Sequence, residues 1–511
     1  MASSYLAPGV YMEEVSSGSR PIEAVGTAVA AFVGLAEKGP VDEPVMVTNW
    51  TQFKQVFGDF VDGYYLAHAV YGYFLNGGGT AYVVRVGGNG DGAAPARPPM
   101  AELPSAGDNG RPSLTVSALP AADGANDLSV EVAPASDEGA EDTFKLVVKR
   151  GGTPVETFDN VSSRRGANNV ITVVRQQSKL ITVDEVKGKG LAVPRSGEVA
   201  LAGPPATPAK AKADDYVGDS ADRTGFGGLE AIDNVTMLCA PDVMAAYQAG
   251  VFSEEDVRSV QLAMIAHCEL MSDRVAILDT PPGLTAQQVK DWRMNVTGYD
   301  SKYAAMYWPW IKVTDPVAGK HVHVPPSGHL AGIWARNDST RGVHKAPANE
   351  VIRGVLSLEL NITKGEHDQL NPIAVNCIRA FPGQGIRVWG ARTLSSDPEW
   401  RYLNVRRLFN YVEKSILQGT NWVVFEPNDP KLWDSVKRTV TMFLRRVWRD
   451  GALFGRTAGE AFFVKCDEEN NPAENRDAGI LTVEIGIAPV KPAEFVVFRI
   501  SQFSDGAALD E

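Results

Sequence analysis

Between residues 226 and 376, short apolar runs alternate with capped amphipathic stretches. This alternation constrains the fold more than any other feature of the chain. Val235–Ala240 reads as a strand. Ser253 opens a helix with acids in its first turn and apolar positions at Val257, Val260, Met264 and Cys268. Arg274–Asp279 reads as a buried strand, and Thr285 with Gln288 forms a capping box for the next helix. Tyr303–Val313 then reads as a strand, Ser327–Ala335 as a helix and Val355–Leu360 as another strand. Parallel strands need a crossover, and crossover helices cover the sheet. The pattern therefore predicts an α/β body with a mainly parallel sheet and helices on both faces.

The flanks read differently. Residues 1–20 suggest an extended arm: Pro8-Gly9, a short strand from Val10 to Val15, then a Ser16–Ser19 linker. Residues 21–87 carry a strand at Thr27–Leu35 and a short helix capped by Thr48 or Asn49. A helix at Leu66–Leu75 and a strand at Ala81–Val86 follow. Residues 88–225 hold the runs SLTVSAL, DLSVEV, FKLVVKR and NNVITVVRQQSKLITV with no helical period, which predicts an inserted all-β domain. Ala202–Ala213 is a Pro/Ala/Lys linker back to the main body, which continues over 226–384. Residues 385–490 predict an α+β domain. Ser396 with Glu399, or Asp397 with Pro398, is expected to open a helix striped by Tyr402, Val405, Phe409, Val412 and Ile416. A second helix runs from about Lys431 to Asp450. Strands at Ile480–Ile487 and Glu494–Phe503 close the chain, with 491–511 as a C-terminal arm.

The 511 residues carry a net charge of −13, which argues against nucleic-acid binding by the chain as a whole. Cys239, Cys268, Cys377 and Cys466 form no CxxC pair and read as reduced core thiols. The N-terminus shows no signal-peptide pattern, and no apolar run reaches the ~18 residues of a membrane span. These features predict folding in a cytoplasm.

Enzyme signatures are missing: no GxSxG elbow, no P-loop, no HExxH and no complete GxGxxG. Gly383-Gln384-Gly385 reads as a turn. Asp279, at a strand end in LDTPPG, could serve a triad only with a Ser and a His beside it. It reads instead as a carboxylate satisfying turn amides. His321 and His323 alternate onto one strand face near His329, but no further ligand is close in sequence, so a polar edge strand is the better reading.

Several stretches together resemble contractile phage tail sheath proteins, including the sheaths of phage-tail-like injection systems. They are APGVYMEEVSSG, TAVAAFVGLAEKGP, VTNWTQFKQVFG, YFLNGGGTAYVVRV, LDTPPGLTAQQV, YAAMYWPWIKV, PPSGHLAGIWARND and LNPIAVNCIRAFPGQGIRVWGARTLSSDPEWRYLNVRRLF. The resemblance covers residues 1–87 and 226–503. It implies a subtilisin-like but non-catalytic core, no cofactor, no metal and no catalytic residue. It also implies subunits stacked as hexameric rings around an inner tube, contracting to drive that tube through a target envelope. The implied partners are further copies of the chain, the inner tube protein, and baseplate and tail-terminator or cap proteins. Nucleic acid and direct membrane insertion are not implied. The implied location is a bacterial cytoplasm during assembly, then a virion tail or a released particle. An α/β hydrolase-like enzyme and a static helical shell protein are the alternatives.

Two surfaces carry the expected assembly. In the family, terminal segments add strands to a neighbouring subunit's sheet. The matching residues are Tyr5, Val10, Tyr11, Met12 and Val15, and Phe495, Val497, Phe498, Ile500 and Phe503. The alternative is pairing within their own subunit. The helix KLWDSVKRTVTMFLRRVWRDG sets an apolar stripe against Arg438, Arg445, Arg446 and Arg449, with Lys437 at the edge. Residues 385–450 hold 12 Lys and Arg against 7 Asp and Glu. This basic face is either simply solvated or a dock for an acidic inner tube.

Overall fold

The computed structural model describes residues 21–87, 100–106, 112–119, 128–137, 142–164, 166–185, 193–201, 211–317 and 319–499. Tyr5, Val10, Tyr11, Met12, Val15, Ile500, Phe503 and the linker up to residue 210 lie outside the described residues. The chain divides into two compact units, one of residues 1–87 with 211–511 and one of residues 88–210.

In the first unit, β1 (Val29–Gly34), β2 (Val45–Val47), α1 (Trp50–Phe57), α2 (Leu66–Leu75) and β3 (Thr80–Arg85) come first. After the second unit come β4 (Met237–Cys239), α3 (Glu254–Met271), β5 (Val275–Asp279), β6 (Ala304–Trp308), β7 (Ile311–Thr314), β8 (His321–Val324) and α4 (Ser327–Arg341). Then follow β9 (Glu350–Val351), β10 (Val355–Leu358), β11 (Val375–Phe381), β12 (Gly385–Val388), α5 (Leu403–Gly419), α6 (Pro430–Arg449), β13 (Phe462–Lys465) and β14 (Glu484–Ile487). Shorter helices are named by their ranges.

A nine-stranded sheet runs in the order β9-β12-β11-β6-β5-β4-β1-β3-β2. The six strands from β11 to β3 are parallel, and antiparallel strands flank them on both sides. Buried strands place alternate residues on opposite faces. Ala30, Phe32, Val275, Ile277, Ala305 and Tyr307 meet α1, α2 and α4 in the largest core. On the other face Trp308, Val375 and Cys377 meet Val289 and Leu370.

Local caps start several helices. The Asn49 side chain accepts from the Gln52 amide, Ser253 and Asp256 cap α3 reciprocally, and Thr285 and Gln288 do the same for Ala286–Asp291. The central helices α2 and α4 have no side-chain cap of their own. Buried carboxylates from elsewhere take that place. Asp242 accepts from the Leu66 amide at 3.2 Å, from the Leu35 amide at 2.7 Å and from the Tyr65 amide. Asp279 accepts from the Ser327 amide at 3.0 Å. Each carboxylate faces the positive end of a helix dipole.

α2 and α4 then pack with their backbones close. A Cβ on Gly328 would lie 2.4 Å from Ala69 Cα, one on Gly332 2.4 Å from Tyr73 O, and one on Gly72 2.3 Å from the His329 ring.

The structure corrects four readings. The Tyr303–Val313 run is two strands, because Pro309 has no amide hydrogen to continue a ladder. β7 instead joins β8 and β10 in a separate antiparallel sheet. Ser396 and Glu399 do not open a helix. Asp300 takes the Ser396 amide at 2.8 Å and its hydroxyl at 2.5 Å, and α5 starts only at Leu403. In the second unit, part of NNVITVVRQQ forms the helix Val170–Gln177, capped by Asn169. Val170 and Val174, one turn apart, are buried in that unit's core, so packing overrides their β propensity. Glu494–Arg499, the described part of the expected last strand, pairs with no strand. A strand needs a partner edge, and none among the described residues receives it.

The second unit otherwise holds two antiparallel sheets, one of four strands and one of three, around an apolar core. Residues 211–225 belong to the first unit, where Tyr216 is buried against Phe226 and Phe252.

Gly72→Ala is expected to destabilise the first unit by about 1–3 kcal/mol through overpacking. Gly79→Ala, whose Cβ meets nothing within 4 Å, is the control. Thermal denaturation followed by circular dichroism should separate them, and equal melts would show that the α2–α4 contact yields.

Candidate functional site

Asp279, the carboxylate placed at a strand end as a triad acid would be, forms no triad among the described residues. Its carboxylate is 4% exposed and accepts from the Ser327 hydroxyl at 2.6 Å as well as from the Ser327 amide. Burial pushes its carboxyl up to about 7, against the pull of the Ser327 bonds. Ser327 is itself fully buried, and no histidine is hydrogen-bonded to either residue among the described residues. The hydroxyl thus donates to a carboxylate and has neither a base nor an open approach for substrate. His267 instead meets Arg274 Nη1 at 3.2 Å, and burial with that cation lowers its pKa to about 4. Asp242 is the counterpart of Asp279 under α2, and burial pushes it up to about 7 too.

The histidines form no cluster. His321 and His323 are exposed on the edge strand β8, whereas His329 is buried on α4. Among the described residues no group of three metal-ligating side chains converges.

The surfaces are more telling. α6 buries Leu432, Trp433, Val436, Val440, Phe443, Leu444 and Val447 against Leu408 and Val412 of α5. Lys437, Arg438, Arg445, Arg446 and Arg449 are exposed. Arg446 also has a task within the chain: its Nη2 donates to the Ile22 carbonyl at 3.1 Å.

That bond belongs to a strap. Ile22 is buried in the α5–α6 core, and Gly419 leaves room for it, since a Cβ there would lie 2.6 Å from Ile22 Cγ1. The Val25 amide donates to Ser415 Oγ at 3.2 Å. The Thr27 carbonyl accepts from Arg407 at 3.1 Å, and the Thr27 hydroxyl donates to Asp338 at 2.6 Å. Arg407 and Asp338 form a bidentate ion pair at 2.6 and 2.9 Å, with side chains only 3% and 4% exposed.

At the other terminus, Glu494 accepts from Arg392 Nε at 2.9 Å and Nη2 at 2.6 Å, from Asn371 Nδ2 at 3.1 Å and from Tyr402 Oη at 3.4 Å. Burial alone would raise its carboxyl, but the Arg392 and Asn371 bonds outweigh it and hold the group below the usual range. Directly after Glu494, Phe495, Val496, Val497 and Phe498 are 74%, 69%, 76% and 84% exposed. A groove of about 590 Å³ lies along this tail, lined by Trp389, Pro372 and His367 among others.

Two family models match the chain: phage tail sheath protein central domain over residues 227–394, and phage tail sheath C-terminal domain over residues 395–503. The chain belongs to the phage tail sheath protein family. The members of this family are structural tail proteins, not enzymes. The tail sheath protein of Burkholderia phage BcepMu is 26% identical over 522 residues, covering 98% of this chain and 97% of that one. The sheath complex of an extracellular contractile injection system, PVC, in its contracted state superposes with a TM-score of 0.59 at 22% identity, covering 98% of this chain and 99% of that one. The contracted helical sheath of the anti-feeding prophage gives 0.59 at 22% identity, covering 98% and 100%. At this identity the likeness is one of fold, and this sheath protein shares the mixed α/β architecture. No described helix of the sheath protein is long and apolar enough to cross a membrane.

The five basic residues foreseen on α6 share one exposed face of the sheath protein, whereas Phe495, Val497 and Phe498 lie in the bare tail. Sequence reasoning missed Asp242, Asp338, Arg392, Arg407 and Glu494. The one local signal was an acid or cation inside an otherwise apolar run, as in CAPDVM.

Asp242 and Asp279 titrate near 7 in the folded chain, against about 3.9 when unfolded. The native state therefore holds these protons more tightly. Their contribution to stability is full below pH 4 and is lost as pH rises to 7. The melting temperature of Asp279→Asn should depend on pH less steeply than that of the parent between pH 4 and 7. Parallel curves would refute the assignment.

Proposed function

We propose that this protein is the repeating subunit of a contractile sheath. On this reading it stacks as hexameric rings around an inner tube and drives the tube through a target envelope as the rings rearrange. The six-stranded parallel centre with helices on both faces is a subtilisin-like core without catalytic chemistry. The sheath core comprises 21–87 and 211–384, with 385–490 as the C-terminal domain and 88–210 as a β-rich insertion. Assembly takes place in a bacterial cytoplasm, and the product is a virion tail or a released particle.

The observation that carries this reading is the tail Phe495–Phe498. Four consecutive large apolar side chains stand in water, which a monomer has no reason to display. The same unit holds β13 and β14, a two-stranded antiparallel ribbon that pairs with no third strand among the described residues. Such a ribbon is marginal alone and is completed by added strands. The arms of neighbouring copies, residues 1–20 and 491–511, are the strands we assign to it. The contracted-state sheath complexes named above, and the similar chain in the anti-feeding prophage baseplate, support contraction and a baseplate partner. A tail-terminator or cap protein closes the far end.

The inner tube meets the basic face of α6. Lys437, Arg438, Arg445 and Arg449 offer screened contacts of ~0.2–1 kcal/mol each, weak singly, additive over a polymer and reversible. Arg446 joins them but also holds the strap.

Deleting residues 1–15 is expected to abolish polymerisation and leave a folded monomer, read by electron microscopy and circular dichroism. Normal sheaths from the truncated chain would sink the arm assignment. Reversing Arg438 and Arg445 to Glu, with Arg446 left intact, should weaken assembly on tubes and spare the fold. Undiminished assembly on tubes would exclude the α6 face.

A further inference from the structure

We propose that the Arg392–Glu494 ion pair is the register pin of the C-terminal arm. It fixes where the donated strand begins and which face it presents to the copy that receives it. This inference rests on the strand-donation reading above and adds a specificity-determining residue to it.

The apolar run that opens the donated segment, Phe495–Phe498, does not set its own register. Along a strand, Phe495 and Val497 face one way and Val496 and Phe498 the other. Each face thus offers one Phe and one Val. A slip of one residue exchanges the faces with little change in apolar character, the condition under which register is weakly specified. Something outside this run must choose.

The pin is built for that choice. Asn376, fully buried, clamps the Arg392 backbone: its Oδ1 accepts from the Arg392 amide at 2.7 Å, and its Nδ2 donates to the Arg392 carbonyl at 2.8 Å. The Arg392 guanidinium is oriented by Nη1 donating to the Asn371 carbonyl at 2.9 Å. Two donors are thereby fixed in a planar fork before the tail arrives, and a bidentate carboxylate fits that fork in one position. Upstream, Val490 is held by its amide on the Ala452 carbonyl at 3.2 Å and by Asn404 Nδ2 on its own carbonyl at 3.1 Å. Downstream, no hydrogen bond joins 495–499 to the unit among the described residues. Glu494 is therefore the last hydrogen-bonded anchor among the described residues, and the donated strand is counted from there.

The test exploits the two-residue period of a strand. In the full chain, one glycine inserted between Glu494 and Phe495 inverts the faces, and two glycines restore them. The single insertion is expected to disrupt polymer order more than the double one, by electron microscopy and sedimentation. Glu494→Gln should melt like the parent, exchange amide hydrogens faster over 491–494 and give irregular polymers. Equal effects of the two insertions, or ordered parent-like polymers from Glu494→Gln, would overturn the pin. Deletion of 495–511 separates the two ideas. Abolished assembly keeps the donation reading, whereas intact assembly removes it and the pin together.

Discussion

The Arg407–Asp338 ion pair is the interaction on which the rest of the first unit depends. Both side chains are almost wholly buried, so the pair is taken out of water at a large desolvation cost that only close bidentate geometry and extra hydrogen bonds offset. Those bonds come from the strap, through the hydroxyl and carbonyl of Thr27, and Arg407 also lies over the Trp334 ring. One ion pair thus joins α4 of the sheet body, α5 of the C-terminal helices and the segment leading into β1. Such a pair is weak evidence for stability in itself, but breaking it leaves a buried charge without a partner.

The two termini are rooted by different physics. The N-terminal strap is held by an apolar plug, Ile22, in a helical core, with polar bonds at Arg446, Ser415 and Arg407 behind it. The C-terminal tail is held by a charge-assisted fork at Arg392. Arg446 belongs to both the strap and the basic face, which places the arm root and the candidate tube contact on one helix.

That an α/β body invites a search for an active site at its strand ends has a structural cause. Active sites in α/β folds lie at strand C-termini because helix N-termini converge there. Here the carboxylate at the end of β5 serves the helix directly: Asp279 caps α4 through Ser327, and Asp242 caps α2. A Ser–Asp contact remains, but it is closed and has no imidazole. The geometry that elsewhere organises chemistry here fixes two close-packed helices on a sheet.

Local physics was legible in the sequence. The caps at Asn49, Ser253 and Thr285 act within three or four residues, and apolar period marked α2, α3 and α6, so these elements stand where the pattern puts them. The basic face of α6 followed from period alone. The errors share one cause. Ser396 looked like a cap but is taken by Asp300, 96 residues earlier. NNVITVVRQQ has β-type residues, yet its valines pack as a helix. Glu494–Arg499 pairs with no edge among the described residues. Asp242 with Leu66, Asp338 with Arg407, and Arg392 with Glu494 are separated by 176, 69 and 102 residues. Nothing near any of these residues names its partner. The sequence by itself determined most elements and their order, because capping and periodicity are short-range, and its resemblance to known sheath proteins pointed to the family. Only the tertiary structure decided which charges are buried together and where each arm is rooted, because those pairings exist only once the chain has folded back on itself.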